Sequence, residues 1–225
     1  MPNWCSNSLV IEGNAADIAK FREWLNDAPL TLQKVLPMPS ELEGTTSPTP
    51  KGEEENAKLL AEKYGASNWY DWRVNNWGTK WDVEMNEDDC DSDGSRIVFW
   101  FDSAWSPPIK VIVALGNLFP NLTLTLNYRE DGCAFAGTLK VSGDEYEDIY
   151  HDSSQDEEAY RQFVIDEYGD DPFAVEEDEV AEVSVEVTTK VETGGATKEK
   201  KVKKAKKPKK ETKKSSKKKA KKKKK

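Results

Sequence analysis

The chain has 225 residues, enough for one domain of ordinary size with appendages, yet only 36% of them are hydrophobic and 33% are charged. No stretch approaches the ~18 consecutive apolar residues of a membrane span. The cysteines Cys5, Cys90 and Cys133 are odd in number and lack C-x-x-C spacing, which argues against a disulfide framework and for reduced thiols in a cytosol.

Charge is segregated along the chain. Residues 198–225 hold 19 lysines and two glutamates, a local charge of +17, whereas the preceding 197 residues hold 14 basic and 40 acidic groups, near −26. All eight tryptophans and most aliphatic residues lie between Trp4 and Val141, where a core can form. Beyond residue 175 the chain cannot bury enough apolar surface to offset its ordering entropy. Residues 1–10 carry neither the basic nor the apolar region of a secretory signal, so no leader is expected.

Ser6 to Glu12 reads as a strand. Asn14 then caps a helix over 15–26, with Asp17 in its first turn and Ile18, Phe21 and Leu25 on one face. A short apolar run, 30–36, ends at Pro37, and 38–52 is a loop rich in Pro, Ser, Thr and Gly. Glu53 to Tyr64 predicts a small helix stopped by Gly65. Lys80 to Met85 alternates, with Trp81, Val83 and Met85 on one side, and is expected to pair through the acidic loop 86–95 with the strand 96–102. Ser106 is placed as the cap of a second core helix with Pro107 at its first position and Ile109, Ile112, Val113, Leu115 and Phe119 on its apolar face. Two further strands, 122–128 and 134–141, flank an Glu-Asp-Gly turn at 130–132. Ser154 with Glu157 predicts a capping box for a last helix ending near Gly169.

Strand, helix, paired strands, helix, strand is the order of an α+β, ferredoxin-like split βαβ sandwich. The expected organisation is a ferredoxin-like domain over 1–143 with an insertion at about 38–79 and an extra hairpin, an acidic extension with a docking helix over 144–169, an acidic to Thr/Val-rich linker over 170–197, and a disordered lysine-rich tail over 198–225. Within the linker, 183–192 alternates and reads either as extended linker or as one more strand.

Four separated motifs occur in order: the N-terminal Met1-Pro2-Asn3-Trp4-Cys5-Ser6-Asn7, the stretch from Asn76 to Asp82, the segment from Ala104 to Pro108, and the stretch from Tyr128 to Gly137. Together they resemble the YubB-type ferredoxin-like domain family of phage and plasmid proteins over about residues 1–140. The resemblance implies the fold reached above and a mobile-element, bacteriophage origin; it implies no activity, and the acidic extension and the lysine tail lie outside it.

The clearest functional feature is the tail. Lys198, Lys200, Lys201, Lys203, Lys204, Lys206, Lys207, Lys209, Lys210, Lys213, Lys214, Lys217, Lys218, Lys219, Lys221, Lys222, Lys223, Lys224 and Lys225 form a polycation suited to nucleic-acid phosphates. Lysine is a point charge without arginine's fork, so contact without base reading is expected. Against this stands self-association: residues 144–187 contain 18 acidic groups and one Arg161. The acidic body could equally engage a protein partner as a nucleic-acid mimic, and a structural role in a virion or replication compartment is a third reading. Trp69, Trp72, Trp77 and Lys80 are the residues of a possible recognition surface, because aromatics beside cations can stack bases, although Trp-rich segments more often pack in cores. The free amides after Trp105 could hold an anion, but a Ser106 cap is simpler.

Signals for catalysis are thin. His151, the single histidine, sits among carboxylates in an exposed stretch. There is no Ser-His-Asp set and no phosphate loop. The acidic run 87–94 mimics part of a calcium loop without its alternation, so no metal and no cofactor is expected. An N-terminal Pro2 amine is the remaining catalytic idea, and it lacks an arginine pair to bind a substrate carboxylate. A non-catalytic protein with no membrane partner is the expectation.

Overall fold

A computed structural model describes residues 2–90 and 94–174, all within one compact unit, Met1–Glu176. The tail lysines and the 183–192 stretch lie outside the described residues. β1 (Trp4–Glu12) leads into α1 (Ala15–Leu25), whose N-terminus Asn14 caps by accepting from the Asp17 amide, as expected. An insertion follows: β2 (Leu30–Thr31), α2 (Leu32–Val35), a 3-10 turn (Ser40–Leu42), α3 (Glu54–Tyr64), α4 (Trp69–Trp77) and β3 (Glu84–Met85). The domain then resumes with β4 (Glu87–Cys90), β5 (Arg96–Ala104), α5 (Ile109–Leu118), β6 (Thr123–Glu130), β7 (Phe135–Ser142), β8 (Glu145–Asp152) and α6 (Glu157–Tyr168).

The main sheet has the order β4-β5-β1-β6-β7-β8, with every neighbouring pair antiparallel. Its first four strands are the ferredoxin-like set: the connection from β1 to β4 straddles β5, and the one from β5 to β6 straddles β1. Alternation decides which side each residue faces. Cys5, Leu9 and Ile11 of β1 pair laterally with the odd residues of β5 and the even residues of β6, and all join one core with Ile18, Phe21 and Leu25 of α1 and Val111, Ile112 and Leu115 of α5. The insertion adds Val35, Leu42, Leu60, Trp72, Trp77 and Met85 to the same core. On the opposite side of β7, Ala136 packs with Tyr160 and Val164 of α6 in a second, smaller core. Gly137 is required where the sheet is tightest. An added Cβ there would lie 2.3 Å from the Tyr128 hydroxyl and 2.4 Å from the Ile149 carbonyl oxygen.

Several expectations need correction. The strand expected over 80–85 is reduced to Glu84–Met85, which pairs with Leu30–Thr31 instead of β5; the hairpin partner of β5 is Glu87–Cys90. The residues before β3 are held in a turn because Asp82 turns its carboxylate onto the Leu32 and Val83 amides. Ser106 does not cap α5. Its hydroxyl donates to the Gly78 carbonyl, and α5 starts two residues after Pro107 without a side-chain cap. The helix after Ser154 is capped by Asp156, which accepts from the Ala159 amide, while Ser154 donates to Asp152. The 144–169 segment is more than an appendage: its first half forms β8 in full register with β7, from Ser142↔Glu145 to Phe135↔Asp152.

Candidate functional site

The four sequence motifs, separated along the chain, meet at one end of the sheet. β1 begins there, β5 and β6 end there, and β7 starts there. The Trp105 amide donates to Asn3 O at 2.9 Å, the Thr79 hydroxyl to Ala104 O at 2.8 Å, and the Ser103 hydroxyl to Ser106 O at 2.8 Å. Asn7, buried in β1, donates to Cys5 O, Phe101 O and the Ser103 hydroxyl. Glu130 turns its two carboxylate oxygens onto the Gly132 and Cys133 amides and so closes the β6–β7 turn. Most of these contacts satisfy buried polar groups, which is what a structural junction needs. Burial beside Glu130 pushes the Cys5 thiol up to about 12, so Cys5 is a packed, inert thiol and not a nucleophile at neutral pH.

Against this junction α4 presents its aromatics. Asn68 caps α4 by accepting from the Asp71 amide, and Gly78 ends it in a left-handed conformation, φ 82°. Its Cβ-free backbone also lets the Pro107 carbonyl approach. Trp69, Arg73 and Trp77 lie at i, i+4 and i+8 on one helix face. The Arg73 guanidinium carbon stands 5.2 Å from the Trp69 ring centroid and 4.8 Å from that of Trp77, so the cation is held between two indoles. Lys80, just past the helix, is ringed by three aromatics: its ammonium is 4.8 Å from Trp81, 5.5 Å from Trp105 and 5.9 Å from Tyr70. Trp81 in turn contacts Trp4 at 5.8 Å, and Trp4 is half exposed.

The four residues expected to form a recognition surface therefore divide. Trp77 is fully buried and donates its indole N–H to Leu36 O at 2.8 Å; Trp72 is 7% exposed and packs edge-on to Trp77 at 5.9 Å. Both belong to the core, so neither can stack a base, because their ring faces are covered. Trp69 and Lys80 remain at the surface, both partly buried. Sequence reading missed Trp105 as part of the cluster. The i, i+4 spacing of Trp69, Arg73 and Trp77 was a usable signal once 69–77 is read as a helix. The approach of Trp105 and Trp81 depends on the tertiary junction and has no local signature.

Between α4 and the 30s segment a cavity of about 500 Å³ opens to solvent, lined by Gln33, Met38, Glu43, Trp69, Arg73, Trp81 and Asp82. Elsewhere, the second face of the sheet exposes Trp100 at 59% beside Ser6 and Asp102. His151 stacks on Phe163 at 4.7 Å and so helps seat α6. Among the described residues no group of three or more His, Cys, Asp or Glu is arranged to hold a metal, and no helix is long and apolar enough to cross a membrane.

Of the comparisons with known proteins, the match to a family model agrees with the fold. No curated protein matches the chain. A solved structure, protein api92 from Yersinia pseudotuberculosis, is similar over 68% of this chain and 98% of its own length, at 11% identity and a TM-score of 0.42. Residues 80–170 match the family model described as the ferredoxin-like domain in Api92-like protein, a stretch that runs from Lys80 through β8 and α6 and so takes in the acidic segment beyond residue 143.

Proposed function

We propose that the chain is a non-catalytic accessory protein of a phage or plasmid, working in the bacterial cytoplasm, that holds nucleic acid without sequence preference through the lysines of 198–225. The observation that carries this reading is the charge segregation, +17 in the last 28 residues against about −26 before them. The motif resemblance to YubB-type proteins supports the mobile-element setting. Each lysine that meets a phosphate releases condensed counterions, so binding falls steeply with salt; with six to ten lysines engaged, affinity drops roughly 10³–10⁵-fold between 50 and 200 mM salt. The acidic body raises the threshold, because the tail must leave its own carboxylates to reach phosphate, and this favours dense polyanions. The test is a gel shift on duplex DNA across a salt series with the full chain and with a chain ending at Thr197. Loss of binding in the shorter chain is expected; equal binding by the two removes the tail from the account.

A second reading is supported by the exposed carboxylates of β8 and α6, among them Glu145, Glu147, Glu157 and Glu158. Here the body itself occupies a basic groove on a protein partner. Capture of a basic protein by residues 1–197, competed by DNA, favours it over the first.

A further inference from the structure

Arg73 forms neither an ion pair nor a hydrogen bond among the described residues. Arg129 and Arg161 each place their guanidinium fork on aspartates, and Arg22 places its fork on Glu87. Arg73 Nε is buried and has no hydrogen-bond partner. Glu43 and Asp82 act on it only through space, while burial works against its charge. A planar donor array held against two indoles, partly desolvated and with its Nε–H buried and unsatisfied, is set up to receive acceptors from outside the chain.

The cavity restricts what those acceptors can belong to. Its walls include the Trp69 and Trp81 rings, which favour a flat π-system. Its charged lining is one guanidinium against the carboxylates of Glu43 and Asp82, a net negative balance that disfavours a free phosphate. Asp82 spends Oδ1 on the Leu32, Gln33 and Val83 amides, and Oδ2 accepts no hydrogen bond among the described residues. The complementary ligand is a neutral planar ring with two adjacent acceptors on one edge and donors on the next. Guanine has this pattern: O6 and N7 accept from an arginine fork, and N1–H with the 2-amino group donates to a carboxylate. Adenine sets a donor against the guanidinium. Cytosine offers an acceptor pair on a smaller ring with less stacking area.

We propose that the cavity beside α4 binds an unstacked guanine base, with Arg73 on its acceptor edge, Trp69 and Trp81 against its faces, and Asp82 or Glu43 on its donor edge. This rests on the nucleic-acid reading above and adds to it a base-selective contact that the lysine tail cannot make. Neutral nucleosides separate the two, because they carry no phosphate for the tail. The full chain is titrated with guanosine, cytidine and adenosine, following the Arg73 Nε–H and the Trp69 and Trp81 indole N–H signals by ¹H–¹⁵N NMR, with equilibrium dialysis for affinity. Guanosine is expected to shift these signals saturably and to bind about tenfold or more tighter than adenosine, with cytidine between, the discrimination a good bidentate pair supplies. Arg73→Lys keeps the charge but loses the fork and is expected to lose about tenfold in guanosine affinity, with an unchanged melting curve. Lys140→Gln, exposed on β7 and outside the cavity, leaves it unchanged. Adenosine binding as tightly as guanosine, or guanosine leaving the wild-type Arg73 signal unmoved, overturns the proposal whether or not any variant folds. If the tail-dependent gel shift persists in that case, the cavity assignment alone falls; if both fail, the nucleic-acid reading falls with it.

Discussion

Two arginines on opposite sides of the molecule solve the same problem differently. Arg129 leaves the second face of β6, stacks on Tyr168 at 5.5 Å and is held by Asp131 and Asp170, with 15% of its side chain exposed. Arg73 on α4 is also stacked on aromatics, yet no carboxylate reaches it. The first arrangement joins three elements: the sheet, the β6–β7 turn and the residue following α6. The second joins none. A guanidinium whose fork is filled within its own chain serves architecture, whereas one left with a buried, unfilled donor carries a desolvation cost that no partner in the chain offsets.

The largest expected effect tests the scaffold beneath Arg73. Trp77→Ala removes a fully buried ring and leaves Leu36 O without its donor, at a cost of about 3–5 kcal/mol. Trp69→Ala, at the cavity wall, should cost less than half as much. Urea denaturation reads both, and equal losses would place Trp69 in the core with Trp77. The comparison itself is sharpened by paired Arg→Met changes. Arg129→Met frees the end of α6 and should cost about 1–2 kcal/mol, from a lost charge-assisted fork and a lost stacking contact. Arg73→Met removes a partly desolvated, unpaired charge together with its two ring contacts, and should cost less than Arg129→Met. A larger loss from Arg73→Met than from Arg129→Met breaks the comparison.

The smallest effect concerns a third cation on a ring. Lys63 lies over Tyr64 at 4.7 Å, exposed to solvent, with Glu41 accepting from both. The Tyr64 hydroxyl and the Lys63 ammonium hold the Glu41 carboxyl down at about 2, against an ordinary value of 4.5. A depressed folded value means that the stabilisation is fully present above about pH 4.5 and fades as pH falls towards 2. Acid-unfolding curves of the wild type and Glu41→Gln should converge over that window and differ slightly above it. Curves that run parallel from pH 6 to pH 2 would show that the contact carries no pH-dependent stability.

The fold was legible where the signals were local and regular. Alternation located β1, β5, β6 and β7, the Asn14 cap fixed the start of α1, and Gly65 and Gly169 marked helix ends. It was obscured where tertiary contacts outweighed a local pattern. The 80–85 alternation gave way because the Asp82 carboxylate turns back to cap the Leu32 and Gln33 amides. β8 was hidden because a one-sided edge strand of Glu, Asp and Tyr has no apolar stripe; it is held by main-chain pairing with β7. Ser106 had the chemistry of a cap but found the Gly78 carbonyl first. Of the candidate site, the density of tryptophan in 69–81 was visible from sequence. Which of those rings are buried, and that Arg73 lies among them without a carboxylate, follows only from packing.

The outermost strand β8 reads as acidic, with Glu145, Glu147, Asp148 and Asp152 along it. Bringing that border alongside the same border of a second molecule sets like charges face to face, so the sheet resists growing there into an open-ended ribbon. That resistance is electrostatic and therefore conditional. Neutralising that border, by acid or by a dense polycation, removes the guard, and a protein whose own chain carries such a polycation is best handled at moderate salt and away from low pH.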